Sequence, residues 1–278
     1  MNRSRAAAAL AGTALLASCA VPPQRLDIPW RQNIEIGDRA LRHGRLPEAD
    51  AALSAALARA ETFGADDPRL AFALDAMGDL RSAQGDPARA EPPFRRALAI
   101  LEKAVGPDAP ETAAALAYLA EACAAQGKQA EAEKLLRRAI ASAEKDPPRR
   151  YAEAAARLSD LASLERAMGR GEQAEAAYRR ALDIKEKLRG PGDPEVAAAL
   201  NDLALFEEAR GMDAAAETLY QKALEQGERA HGRDSPLLLP TLNNYAHLLR
   251  RTKREDRAAA LEGRARALER RKTEGSAR

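Results

Sequence analysis

The chain has 278 residues, 46% hydrophobic and only 4% aromatic, with 44 Lys and Arg against 42 Asp and Glu, a formal net charge of +2. A near-neutral balance gives no bulk electrostatic footprint for nucleic acid, and so few aromatics leave little to stack on bases. The apolar material is mostly Ala and Leu within long Glu- and Arg-rich stretches, which predicts an all-α protein.

The first element is a leader. "MNRSR" is a basic head, and "AAAALAGTALLA" is an apolar run too short to cross a bilayer as a mature helix, so residues 1–18 read as a secretory signal peptide. Leu16-Ala17-Ser18-Cys19 resembles the lipobox of bacterial lipoproteins. That resemblance implies cleavage before Cys19, lipidation of its thiol, acylation of the new amine and a lipid-anchored linker over residues 19–29. Such an anchor would tether the chain stably without spanning the bilayer. Ala20 after Cys19, rather than Asp, implies the outer membrane of a Gram-negative cell, with the protein facing the periplasm. An ordinary signal peptide with an incidental Cys is the alternative. Cys123 is left without a partner in an apolar helical run and reads as a buried, inert thiol.

Four related hinges follow: "GADDPRLAFAL" from Gly64, "GPDAPETAAAL" from Gly106, "GPGDPEVAAAL" from Gly190 and "GRDSPLLLPTL" from Gly232. One period of 42 fits all four, with a slot left vacant near residue 148, and such a period predicts a stacked repeat array. Each Gly ends a helix, and Pro68, Pro110, Pro194 and Pro236 open the next one. Asp67, Asp193 and Ser235 are good N-caps, whereas Ala109 is not.

Between hinges lie two amphipathic segments parted by a turn glycine: Gly44, Gly85, Gly127, Gly169 and Gly211, with Lys253 at the sixth place. The first segment of each pair carries a small residue at Gly37, Gly78, Ala120, Ala162, Ala204 and Ala246. The second carries Ala49, Ala90, Ala132, Ala174, Ala216 and Ala258, then Ala56, Ala97, Ala139, Ala181, Ala223 and Ala265. Leu53, Phe94, Leu136, Tyr178, Tyr220 and Glu262 stand between these two rows. Small residues let helices approach while the larger group fills the remaining hole, so six helical hairpins are expected.

Three departures stand out. "EKDPPRRYAEA" (144–154) fills the vacant slot and predicts an irregular connection. Pro92 and Pro93 fall inside the second helix of the second hairpin, where Pro93 predicts a kink or a late start. The sixth hairpin is polar, with "REDRAAALEGRARALERRK" as its last helix, as the open end of a repeat stack requires.

This pattern resembles the tetratricopeptide-repeat family, and the 42-residue period with its "GPDxP" hinge resembles the kinesin-light-chain-like variety. The resemblance covers residues 30–272 and implies a right-handed superhelical solenoid of about six hairpins, with residues 273–278 as a disordered tail. It also implies a concave face, lined by the first helices, that binds extended segments or helices of protein partners. In the family an Asn three residues before the small residue clasps ligand backbone, and Asn201 and Asn243 hold that place here. Ile34, Asp75, Ala117 and Ser159 hold it in the other hairpins. Leu205 and Glu208, then His247, Arg250 and Arg251, lie further along the same face, whereas the second hairpin offers Asp75, Asp79 and Ser82. A groove running from acidic to basic is expected.

His43, His231 and His247 lie in separate hairpins, with no metal-ligand spacing, nucleotide-binding glycine loop or nucleophile elbow anywhere. The chain therefore reads as a non-enzymatic, lipid-anchored scaffold for an envelope protein or peptide segment, without cofactor, metal or small-molecule substrate. The alternatives are a pilotin-like lipoprotein assisting an outer-membrane secretion or pilus component, an adaptor of a cell-wall enzyme, and an enzyme using surface carboxylates. Residues 250–278 hold eleven basic and five acidic residues and read as a solvated cap helix, a phospholipid-binding end being the other possibility.

Overall fold

Alternating apolar spacing and the hinge prolines become twelve α-helices in the computed structural model, which describes residues 28–276 apart from 148 and 191. The signal peptide, Cys19 and nearly all of the linker lie outside the described residues. The helices pair through short turns into six hairpins: α1 (Ile28–Arg42) with α2 (Leu46–Glu61), α3 (Pro68–Ala83) with α4 (Pro87–Ala104), and α5 (Pro110–Ala125) with α6 (Gln129–Ala143). Next come α7 (Tyr151–Ala167) with α8 (Gly171–Arg189), α9 (Pro194–Ala209) with α10 (Asp213–His231), and α11 (Leu239–Arg251) with α12 (Glu255–Ser276). No strand occurs among the described residues, and no helix there is long and apolar enough to cross a membrane.

The chain divides into two compact units, residues 1–157 and 158–278, the boundary falling within α7. Their cores are built the same way. Every residue of the two Ala rows is at most 3% exposed, so the rows face inward throughout. In the first unit Leu53 sits on Gly37 and Phe94 on Gly78, and Leu53 joins Ala40, Ala49, Met77 and Leu80 in one cluster. In the second, Tyr220 packs with Ala204, Ala216, Tyr245 and Leu248. The expected pairing of small residue and large filler holds in both.

The turns carry out their sequence signals. Gly44, Gly85, Gly127, Gly169 and Gly211 all have positive φ, and Lys253, at the sixth place, is the one non-glycine residue there at φ 60° among those described. Asp67, Asp193 and Ser235 cap their helices by accepting from the backbone N–H two residues on, and Ala109 makes no cap bond. Pro240 has no N–H to donate back to Pro236, and the last first-helix opens as a short 3₁₀ turn, Pro236–Leu238, before α11. The late start expected from Pro93 does not occur. Asp86 caps Arg89 N–H and Pro87 takes the first-turn position, so α4 starts early and continues through both prolines.

The irregular 144–154 connection is organised by Arg150, which is only 8% exposed. Its Nη1 donates to the carbonyls of Asp108 (2.6 Å) and Ser142 (3.3 Å), and its Nε and Nη2 engage Glu153. A planar five-donor group thus binds together three chain segments where a glycine hinge is missing.

Ion pairs between neighbouring hairpins follow the repeat as well. The hinge acids Asp108 and Asp234 hold Lys145 and Arg271 at 2.7 Å, and Asp66 holds Lys103. Where the hinge has Gly192 instead, Arg229 turns to Glu225 on its own helix at 2.6 Å. A second series uses Glu91, Glu175 and Glu217. Glu91 meets Lys128 and Arg95 at 2.5 and 2.6 Å, Glu175 meets Arg179 and Arg210, and Glu217 meets Arg254 and Arg257. Most of the basic partners are exposed, so each pair contributes little alone.

Candidate partner-binding face

α9 and α11 are the first helices of the last two hairpins and lie side by side in the second unit. Helical spacing places Asn201, Leu205 and Glu208 on one stripe of α9, and Asn243, His247 and Arg250 on one stripe of α11. Hydrogen bonds join the two helices. Asn244 Nδ2 donates to Asn201 Oδ1 at 3.1 Å, and His247 Nδ1 lies 3.0 Å from Glu208 Oε1. With its proton on Nδ1, the imidazole donates to the carboxylate.

The residues singled out from sequence divide into floor and surface. Asn201 and Glu208 are each 8% exposed and form the floor. Glu208 Oε2 accepts from the Tyr220 hydroxyl at 2.8 Å, and Arg251 Nε stands 3.6 Å from Oε1 while Arg251 also pairs with Asp213. Burial first, and Glu208 second, hold the Tyr220 hydroxyl above its usual range, so it stays a donor to the carboxylate. Leu205 is 40% exposed, and Asn243 and His247 are exposed beside it. Arg250 turns to α12 instead, with Nε and Nη2 on Glu262 at 2.5 and 2.8 Å and Nη1 on Glu255 at 2.8 Å. Leu205, Asn243 and His247 thus form an open surface over a hydrogen-bonded base, and Arg250 is engaged elsewhere.

Sequence reasoning missed Asn244, Tyr220 and Asp213 as members of this network. Asn244 adjoins the predicted Asn243, and only the interhelix register decides which of the two meets Asn201.

A second constellation lies in the first unit, where ligand atoms of Glu91, Cys123 and Glu131 come within 4.8 Å of one another. Lys128, Arg95 and Gln126 already occupy Glu91, and Arg95 bonds Glu131 at 2.8 Å. Burial, with help from Glu131 and Glu91, pushes the Cys123 thiol up to about 11. A metal ion would have to displace two cations and deprotonate a resisting thiol, so these residues fit a metal poorly.

The tetratricopeptide-repeat profile matches residues 34–103, 94–145, 153–221 and 195–271. The chain belongs to the tetratricopeptide-repeat family. No curated protein matches it in sequence. Among solved structures it is similar to BtubC (BKLC) of P. vanneervenii, at 19% identity and TM-score 0.65, over 89% of this chain and 93% of that one. It is also similar to a Podosopora anserina protein described as a kinesin light chain with nearly identical TPR-like repeats, at 23% identity and TM-score 0.63, over 73% and 98%. PilF of Pseudomonas aeruginosa is similar at 18% identity and TM-score 0.57, over 84% and 89%. At these identities the likenesses establish the fold. Tetratricopeptide repeats are scaffolds suited to binding proteins or peptides, and this repeat protein has that architecture.

Proposed function

We propose that this tetratricopeptide-repeat protein is a lipid-anchored, periplasm-facing scaffold that binds a segment of another envelope protein on its α9–α11 face. The observation that carries the binding reading is the open surface of Leu205, Asn243 and His247 above the Asn201–Asn244 and Glu208–Tyr220 base. A rigid base with exposed groups of mixed character meets two needs of a peptide site: apolar contact from Leu205 and donor and acceptor groups from Asn243 and His247. The anchoring reading is carried by Leu16-Ala17-Ser18-Cys19 after an apolar run.

Two experiments test these parts separately. Labelled palmitate should be incorporated by the wild type and not by Cys19→Ala, which should also leave the membrane fraction; equal labelling would contradict lipidation. Affinity capture from envelope extracts should recover a partner with the wild type and lose it with Leu205→Asp/Asn243→Ala. Capture unchanged by that variant would move the binding site off this face. The identity of the partner then decides whether the scaffold serves pore assembly or a cell-wall enzyme. The same reading assigns no catalysis to the protein, and turnover of peptidoglycan fragments by the purified chain would overturn it.

A further inference from the structure

First helices share one side that meets the hairpin before them. Met77, Leu119, Leu161, Leu203 and Tyr245 stand one place before the small residue of their helices, and none is more than 8% exposed. The residues seven places earlier and three places later in each of these hairpins are buried as well. The preceding second helix covers them: Met77 and Leu80 of α3 pack with Ala49 and Leu53 of α2, and Tyr245 and Leu248 of α11 with Tyr220 of α10.

α1 breaks this pattern. Ile36, Pro29 and Arg39 hold the three places there, and all are exposed, Ile36 at 42%. Ile28, beside Pro29, is 62% exposed. Helical spacing gathers Ile28, Pro29, Gln32, Ile36 and Arg39 within roughly 100° of the circumference of α1. No helix precedes α1 among the described residues, so this side is open. The opposite end of the array is built differently. Leu53 and Leu57 of α2 have Glu262 and Arg266 as their counterparts in α12, so the last hairpin presents charge where an apolar helix would have to pack. Head-to-tail stacking of two copies would bury those charges against Ile36 and is disfavoured.

The chain leading into α1 indicates the occupant. Eight residues separate Cys19 from Ile28, a reach of about 30 Å when fully extended. A chain anchored at Cys19 therefore keeps this end of the array at the bilayer surface. Tethering makes a weak contact intramolecular, at high effective concentration, so a small apolar and cationic surface suffices. The isoleucines suit the boundary between head groups and acyl chains. Arg39 and Arg42, both exposed in the last turn, suit anionic head groups, while Glu35 is answered by Arg31 at 2.9 Å.

We propose that the Ile28–Ile36 side of α1 docks on the surface of the anchoring membrane, with its two isoleucines among the lipid head groups. The proposal rests on the lipid-anchor reading and goes beyond it: the lipid only tethers the chain, whereas this contact turns its first hairpin toward the bilayer.

The test uses the full chain, processed and lipidated in cells and reconstituted in vesicles of phosphatidylethanolamine with a minor share of phosphatidylglycerol. A fluorescent dye is carried on Ile36→Cys, or on Lys134→Cys on the exposed side of α6 as control, Cys123 being buried. A spin-labelled lipid quenches from the membrane and acrylamide from the water. At position 36 the lipid should quench and acrylamide should lose access, and at position 134 the reverse should hold. Adding Ile28→Glu/Arg39→Glu should abolish lipid quenching at position 36 while the protein still sediments with the vesicles. A position 36 reached by acrylamide and not by the lipid overturns the docking alone. Shielding from both quenchers would give the face to residues 20–27 or to a second copy, and lipid quenching that survives the added substitutions would give the contact to other residues; either overturns the proposal. Protein that does not sediment with the vesicles would contradict the anchor reading, and the docking with it.

Discussion

A Cβ added to Gly78 would lie 2.5 Å from Cε1 of Phe94, closer than any real contact tolerates. The ring lies where a side chain at position 78 would be, and it stacks on Tyr118 with centroids 5.8 Å apart, which limits its retreat. The small residue of α3 and the aromatic of α4 are therefore one packing unit. Gly78→Ala is expected to destabilise the protein by about 1–3 kcal/mol despite the better helix propensity of Ala. Urea unfolding of Gly78→Ala, Phe94→Leu and the double variant should show the pair to be non-additive, with Phe94→Leu relieving part of the cost.

The sixth turn gives the opposite expectation. Lys253 occupies the left-handed region at the place where five earlier hairpins use glycine. Removing its Cβ strain outweighs the entropy that glycine adds to the unfolded chain, so Lys253→Gly should stabilise by about 1 kcal/mol. Thermal unfolding measures it directly, and a lower melting temperature would show that the lysine side chain contributes more than its backbone costs.

Arg150 holds the connection that lacks a glycine hinge. Arg150→Ala leaves the carbonyls of Asp108 and Ser142 without this donor and should cost about 2–3 kcal/mol in urea unfolding. Arg150→Lys should recover only part of this, because a point charge cannot reproduce the fork that also reaches Glu153.

Glu91 makes the fold acid-sensitive. Lys128, then Arg95, hold its carboxyl down to about 2, below its unfolded value. A depressed acid contributes stability above its unfolded pKa, and that contribution is lost as pH falls through about 4.5 towards 2. Urea midpoints measured across this window should fall more steeply for the wild type than for Glu91→Gln, which should be the less stable of the two at pH 7. Parallel curves would show that solvent screens the pairing.

The repeat made much of the fold legible. Because one period of 42 runs through the chain, the turn glycines, the hinge caps at Asp67, Asp193 and Ser235, the two Ala rows and the unusual place of Lys253 could be projected from position to position. The candidate face was legible as a set of positions but not as a set of contacts. Sequence places Asn201 and Asn243 alike, yet the register between α9 and α11 brings Asn244 to Asn201, burying one Asn and leaving Asn243 open. Arg250 and Arg251 are neighbours in sequence, yet the helical turn sends one to Glu262 and the other to Glu208 and Asp213. Five of the ion pairs between hairpins, from Asp66, Glu91, Asp108, Glu217 and Asp234, join residues 37 apart, as from Asp108 to Lys145. That spacing acquires meaning only once adjacent hairpins are known to pack in step.

The most direct test of the account is site-specific photo-crosslinking in living cells, with a photoreactive amino acid placed in turn at Leu205, Asn243 and His247, and at Lys222 on the exposed side of α10 as control. The scaffold reading predicts one envelope protein crosslinked from the three face positions and absent from Lys222. Crosslinks to that protein from Lys222 but from none of the three would contradict it and place binding on the second helices.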